Sequence, residues 1–230
     1  MDEGDPLLVD LTRETKKLVT VDPIAGHLMY ARVAQLAGNI DKVRHHIDNA
    51  KALTGRLEAA RAAVPVFGNL GLFSDALAAA RIAYHPITGC GWLCADVVVG
   101  ISNCAFRTFD DFLTQAEEMK IDLSAITEDR KVIARAARVL EAAGVTDDAV
   151  ARMIDIAGEV MRDHRLIYQG QTPDVDIDDR PGLGNCVYVT YRVRATAAEA
   201  ADLYAEMVEK ITDRINPIPS AFHVSLRAAA

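Results

Sequence analysis

Apolar residues recur at helical spacing over most of the chain, and the runs are broken at nearly even intervals. Ile24, Leu28, Ala31, Ala34 and Leu36 mark one face of a helix that Asp22-Pro23 opens and Gly38-Asn39 closes. Ile40, Val43, Ile47, Ala50 and Leu53 form the stripe of a second helix, with Lys42, Arg44, Asp48 and Lys51 on its other face. The same pattern predicts a pair over 56–69 and 74–84, with Pro65 kinking or breaking the first member and Ser74 capping the second. A third pair is predicted over 89–104 and 108–119, and a fourth over 127–143 and 146–168, with Thr127 and Thr146 as caps.

The junction Ala37-Gly38-Asn39-Ile40-Asp41-Lys42-Val43 returns as Leu70-Gly71-Leu72-Phe73-Ser74-Asp75-Ala76, as Phe106-Arg107-Thr108-Phe109-Asp110-Asp111-Phe112 and as Ala143-Gly144-Val145-Thr146-Asp147-Asp148-Ala149. Aligned on Gly38, Gly71, Arg107 and Gly144, the copies lie 33, 36 and 37 residues apart. A period in the mid-thirties predicts stacked helix hairpins. Helical periodicity stops at Gly170. Residues 170–184 are acidic and rich in Pro and Gly, which reads as a linker. Val187, Val189, Tyr191 and Val193 then alternate as in a strand, Ala197–Ile215 is an amphipathic helix, Asn216-Pro217-Ile218-Pro219 breaks it, and Ala221–Leu226 reads as a closing strand. A β–α–β unit of that size does not fold alone, so it docks on the helices or pairs with another chain. The expected fold is mainly α: a tail or leading helix over 1–22, a helical repeat domain over 23–169, the linker over 170–184 and the β–α–β unit over 185–230.

On these residues the repeats resemble the tetratricopeptide repeat. Ala31 stands at the small position of its first helix, Gly38 at the turn, Ile40 at the bulky position after it, and Val43, Ile47 and Ala50 along the second helix. The second unit offers Gly71, Phe73, Ala76, Ala80 and Ala83, with Val64 at the small position; the third Gly100, Phe109, Ala116 and Met119, with Arg107 in place of the turn glycine; the fourth Ala137, Gly144 and Ala149. The resemblance spans about residues 23–169. It implies an α-solenoid of about four hairpins that binds a peptide or protein segment on its concave face, lined by the first helix of each pair. Arg32 and Gln35, Arg61 and Asn69, and Lys131, Arg135 and Arg138 would face that groove, a basic surface suited to an acidic peptide. The alternatives are an ordinary helical bundle and, for these residues, the solvated face of amphipathic helices.

The net charge of −8 argues against a nucleic-acid or anionic-membrane binder, which needs a basic face. Half the residues are hydrophobic, ample for a core. The acidic start Met1–Asp5 lacks the features of a signal peptide, and the longest apolar stretch, Trp92–Ile101, is short and carries Asp96, so cytoplasmic residence is expected. Cys90, Cys94, Cys104 and Cys186 read as reduced thiols. With His85 they lack the tight pairing of a zinc site, and no metal or cofactor is expected. Trp92 reads as core, and His45, His46 and His164 as surface residues. For catalysis the best candidates are Asp178, Asp179, Gly182, Gly184 and His223, but Gly182-Leu183-Gly184 leads into a strand and lacks the helix N-terminus that holds a phosphate. The expectation is therefore a non-enzymatic adaptor for a protein or acidic peptide. The alternatives are a small-molecule or catalytic α+β protein using the 174–185 loop, and an oligomerising subunit that pairs through the edges of Val187–Val193 or Ala221–Leu226.

Overall fold

A computed structural model describes residues 5–84, 100–166, 173–178 and 184–229. The chain is mainly helical, with a three-stranded sheet near its C-terminus. The leading segment is a helix, α1 (Pro6–Val21), opened by Asp5, which accepts from the Leu7 N–H. Asp22 ends α1 and caps α2 (Pro23–Leu36) through the Ala25 N–H, and Asn39 caps α3 (Ile40–Thr54) through Lys42. Then come α4 (Arg56–Asn69) and α5 (Phe73–Ala83). Pro65 lies inside α4 without breaking it. After helical residues 100–102 follow α6 (Phe106–Glu118), α7 (Thr127–Ala142) and α8 (Asp147–Asp163). His85, Cys90, Trp92 and Cys94 lie outside the described residues.

The left-handed turn of Gly38 and Gly71 returns at the helix ends of Cys104, Lys120, Gly144 and Arg165, and not at Arg107. Gly38, Gly71 and Cys104 all have left-handed backbone, with φ of 69°, 65° and 52°. In each case the next residue's N–H reaches back five residues: Asn39 to the Ala34 carbonyl, Leu72 to Phe67, Ala105 to Gly100. Cys104, not Arg107, thus takes the turn before α6, and the first three of these turns stand 33 residues apart. Phe106, not Phe109, takes the bulky position after the turn. Ile40, Phe73 and Phe106 are equivalent, as are Val43, Ala76 and Phe109, Ile47, Ala80 and Leu113, and Ala50, Ala83 and Ala116; all but Ile40 are buried. A cysteine hid the turn because its backbone takes a conformation that glycine adopts at no steric cost.

Sequential helices pack on one another along the chain: α1 on α2, α2 on α3, α3 on α4, α4 on α5, and α6 on α7. Helix α8 departs from that order, packing on α5 and on the C-terminal unit. Asp147, Ala151, Asp155, Gly158 and Arg162 recur at spacings of three and four residues, which places them along one face. That face serves the ends of other helices. Helices α5 and α6 have no side-chain cap of their own. Asp155 instead accepts from the Ser74 N–H at 3.0 Å and its hydroxyl at 2.5 Å. Asp147, only 4% exposed, accepts from the Arg107 N–H at 3.2 Å and from the Thr108 N–H and hydroxyl, both at 2.7 Å. Arg162 donates to the Leu70 and Gly71 carbonyls, at 2.7 and 2.8 Å, where α4 ends. Gly158 allows this approach: a Cβ there would lie 2.1 Å from the Gly71 carbonyl oxygen.

The C-terminal unit gains one strand. Part of the expected linker is β1 (Asp174–Asp178), antiparallel to β2 (Cys186–Val193), which runs parallel to β3 (Phe222–Ala228). The strand β2 is thus the middle of the sheet and has no free edge. Its crossover to β3 is α9 (Ala197–Arg214), opened by a Thr196/Glu199 capping box. The sheet's inner residues, Val187, Val189, Tyr191, Phe222, Val224 and Leu226, are buried in one core with the helices. Tyr191 reaches the 100–104 turn, donating to the Ser102 carbonyl at 3.2 Å, with the Cys104 sulfur 3.5 Å away. Burial pushes the Cys104 thiol up to about 12. The unit docks on the helices, one of the two outcomes its small size allows.

Asp147→Ala should cost about 2–3 kcal/mol in urea unfolding, because three donors lose their acceptor in a buried place. Asp148→Ala, which removes the exposed pair with Arg81, should cost under about 1 kcal/mol. Equal losses would refute the capping role of Asp147.

Candidate functional site

The residues predicted to line a basic groove fall on two separate sets of elements. Arg32 is exposed and Gln35 half-buried on α2, and Arg61 and Asn69 are half-buried on α4, which touches α2. Lys131, Arg135 and Arg138 are exposed on α7, which packs on α6, β1 and β2. Lys131 pairs with Glu128 at 2.7 Å. The Arg135 guanidinium lies 3.4 Å from the Ile177 carbonyl and so sits against β1.

A groove of about 680 Å³ opens where α8 begins. One wall is the α7–α8 turn with the first turns of α8, Val145, Ala149, Arg152 and Ile156; the other is the end of α9 and the loop after it, Arg214, Ile215, Pro217 and Ile218. Val145, Ala149, Ile156, Ile215, Pro217, Ile218 and Pro219 make much of its lining apolar, and Ile218 is 46% exposed. The walls carry Arg152, which is exposed, and Arg214. Arg214 Nη1 and Nη2 each donate to the Glu159 carboxylate, at 2.7 and 3.0 Å. Lys210 joins that network through Glu159, Asp163 and Glu206, at 3.1, 3.0 and 3.0 Å, and with Arg214 holds the Glu159 carboxyl down at about 2. These pairs fasten α9 to α8 and fix the two walls. Asp155, also at the groove, is engaged by Ser74. Sequence reasoning missed Arg152 and treated 216–219 only as a breaker, since nothing local announces that these segments meet.

The sheet's outer face is exposed in part. Register and alternation place Asp174, Asp176 and Asp178 of β1, Cys186, Tyr188, Thr190 and Arg192 of β2, and His223, Ser225 and Arg227 of β3 on that side. Arg192 pairs with Asp174 at 2.7 Å, and Thr190 meets Ser225 at 2.8 Å. Tyr204, from α9, meets His223 Nε2 at 3.1 Å. Asp178 and His223, two of the catalytic candidates, stand on strands separated by β2, about 9–10 Å apart, and do not meet. Asp179 and Gly182 lie outside the described residues.

His46 is not an isolated surface residue. Its Nδ1 is 3.1 Å from that of His27, its ring stacks on Tyr30 at 4.7 Å, and the ring of His45 is 5.1 Å away. Among the described residues no group of three or more His, Cys, Asp or Glu has the arrangement of a metal site, and no helix is long and apolar enough to cross a membrane. Comparison with protein-family models, curated proteins and solved structures finds no match.

Burial, then the charges of His27, His45 and Lys42, lowers the His46 pKa from 6.5 to about 4. Between those values the unfolded chain binds a proton that the folded chain refuses, so stability rises with pH across the window and falls on acidification. Acidifying from pH 7 to 4.5 should cost about 1 kcal/mol through this group once solvent screening is allowed for. His46→Gln should flatten that slope of the melting temperature; an unchanged slope would remove His46 as its source.

Proposed function

We propose that the protein is a non-enzymatic interaction module, a cytoplasmic adaptor built on tetratricopeptide-like helix hairpins, that holds a protein or peptide segment of acidic and apolar character. The observation that carries this reading is the groove between the α7–α8 turn and the Arg214–Ser220 loop. Its apolar lining takes aliphatic or aromatic side chains, and the exposed Arg152 offers a bidentate partner for an acidic one. The hairpin character is supported by the 33-residue recurrence of the left-handed turn at Gly38, Gly71 and Cys104. Departure of α8 from hairpin order is what creates the groove, so the binding wall lies at the end of the helical body rather than along the first helices of the pairs. An interaction role also fits a chain whose candidate catalytic carboxylate and imidazole stand on different strands.

Selection from a displayed library of random peptides tests this. Enriched sequences should combine Asp or Glu with a bulky apolar residue, and Arg152→Glu should weaken their binding at least about tenfold, or about 1.4 kcal/mol. Failure to enrich any sequence, or binding indifferent to Arg152→Glu, would contradict the groove as the working surface.

A further inference from the structure

The outer face of the sheet is polarised from one edge to the other. Its β1 side carries Asp174, Asp176 and Asp178, and its β3 side carries His223 and Arg227. One row crosses the face in register, Asp176, Tyr188, His223, with Tyr188 central and 40% exposed. Asp176 and His223 are also exposed. The inner face is committed to the core, while the three residues of this row stand exposed.

We propose that the face docks on a second copy of itself across a two-fold axis parallel to the strands. Such an axis keeps every residue at its height along the strand and exchanges the two sides, so β1 of one copy lies over β3 of the other and β2 over β2. The row then becomes self-complementary: Asp176 faces the partner's His223, Tyr188 faces the partner's Tyr188, and His223 faces the partner's Asp176. Sheets stack about 10 Å apart, a gap that two facing tyrosine rings fill. A two-fold axis perpendicular to the strands would instead set aspartate over aspartate, whereas the parallel axis stacks Arg192 on the partner's Arg192, each already paired with its own Asp174.

The histidine is prepared for this role. Tyr204 occupies its Nε2 at 3.1 Å. With the tyrosine hydroxyl as donor to Nε2, the ring proton sits on Nδ1, where it can be donated to a carboxylate above the sheet. Tyr204 thereby orients the ring.

Sedimentation equilibrium of the full chain, from micromolar to near-millimolar concentration, tests the proposal. The weight-average mass should rise toward twice the 24.9 kDa of the chain. Asp176→His places histidine against histidine and His223→Asp places aspartate against aspartate, so each alone should weaken dimerisation at least about tenfold. The double exchange, Asp176→His with His223→Asp, should restore it, because opposite partners then face each other again. These positions are exposed, and circular dichroism should report an unchanged fold in all three variants. A mass that stays at that of one chain throughout would overturn the proposal, as would a dimer that either single exchange leaves intact.

Discussion

Helix α8 completes the ends of other helices, and much of the remaining architecture depends on that. A helix leaves its first N–H groups and last carbonyls without partners, with partial positive charge at the start and partial negative charge at the finish. Asp155 meets the start of α5, Asp147 the start of α6, and Arg162 the carbonyls where α4 ends. Each side chain has the charge its helix end calls for. Because α5 and α6 bring no cap of their own, their first turns are satisfied only when α8 is in place. Gly158 and Gly71 are the steric condition for this, since their backbones come closer than a Cβ would permit.

The position of α8 then fixes the rest. Lys210 and Arg214 fasten α9 to Glu159 and Asp163, so the loop leaving α9 is carried to the start of α8. The groove is the space between them. Attachment of α9 in turn places β3 beside β2, and the sheet seals the core through Tyr191 and its neighbours. Docking one face of so small a sheet commits its hydrophobic half, which leaves the outer face to carry charge.

Much of the helical body was legible in the sequence because periodic apolar stripes and glycine turns are local signals. Gly38 and Gly71 announced the first two turns, and Pro23 and Asn39 the helix boundaries. Cys104 announced nothing, since a cysteine in left-handed backbone is held there by surroundings, and the third repeat was consequently misregistered on Arg107. The segment Asp174–Asp178 read as linker because its aspartates look outward and only Val175 and Ile177 turn in. Ser74 looked like a cap, yet it is the second residue of α5 and is itself held by Asp155. Of the candidate site, the charged residues of α2, α4 and α7 were visible individually, but their separation was not. Nor was the meeting of Arg152 with the 215–218 loop, because both depend on where α8 crosses α5.

The claim on which these points rest is that α8 holds the first turns of α5 and α6. Native-state hydrogen exchange of the Ser74, Arg107 and Thr108 amides, followed in the wild type across denaturant, measures it directly. The account predicts that these amides open together with the α8 core, at the same free energy and with the same denaturant dependence. First-turn amides that exchange early, as the frayed ends of independent helices while α8 stays protected, would contradict it.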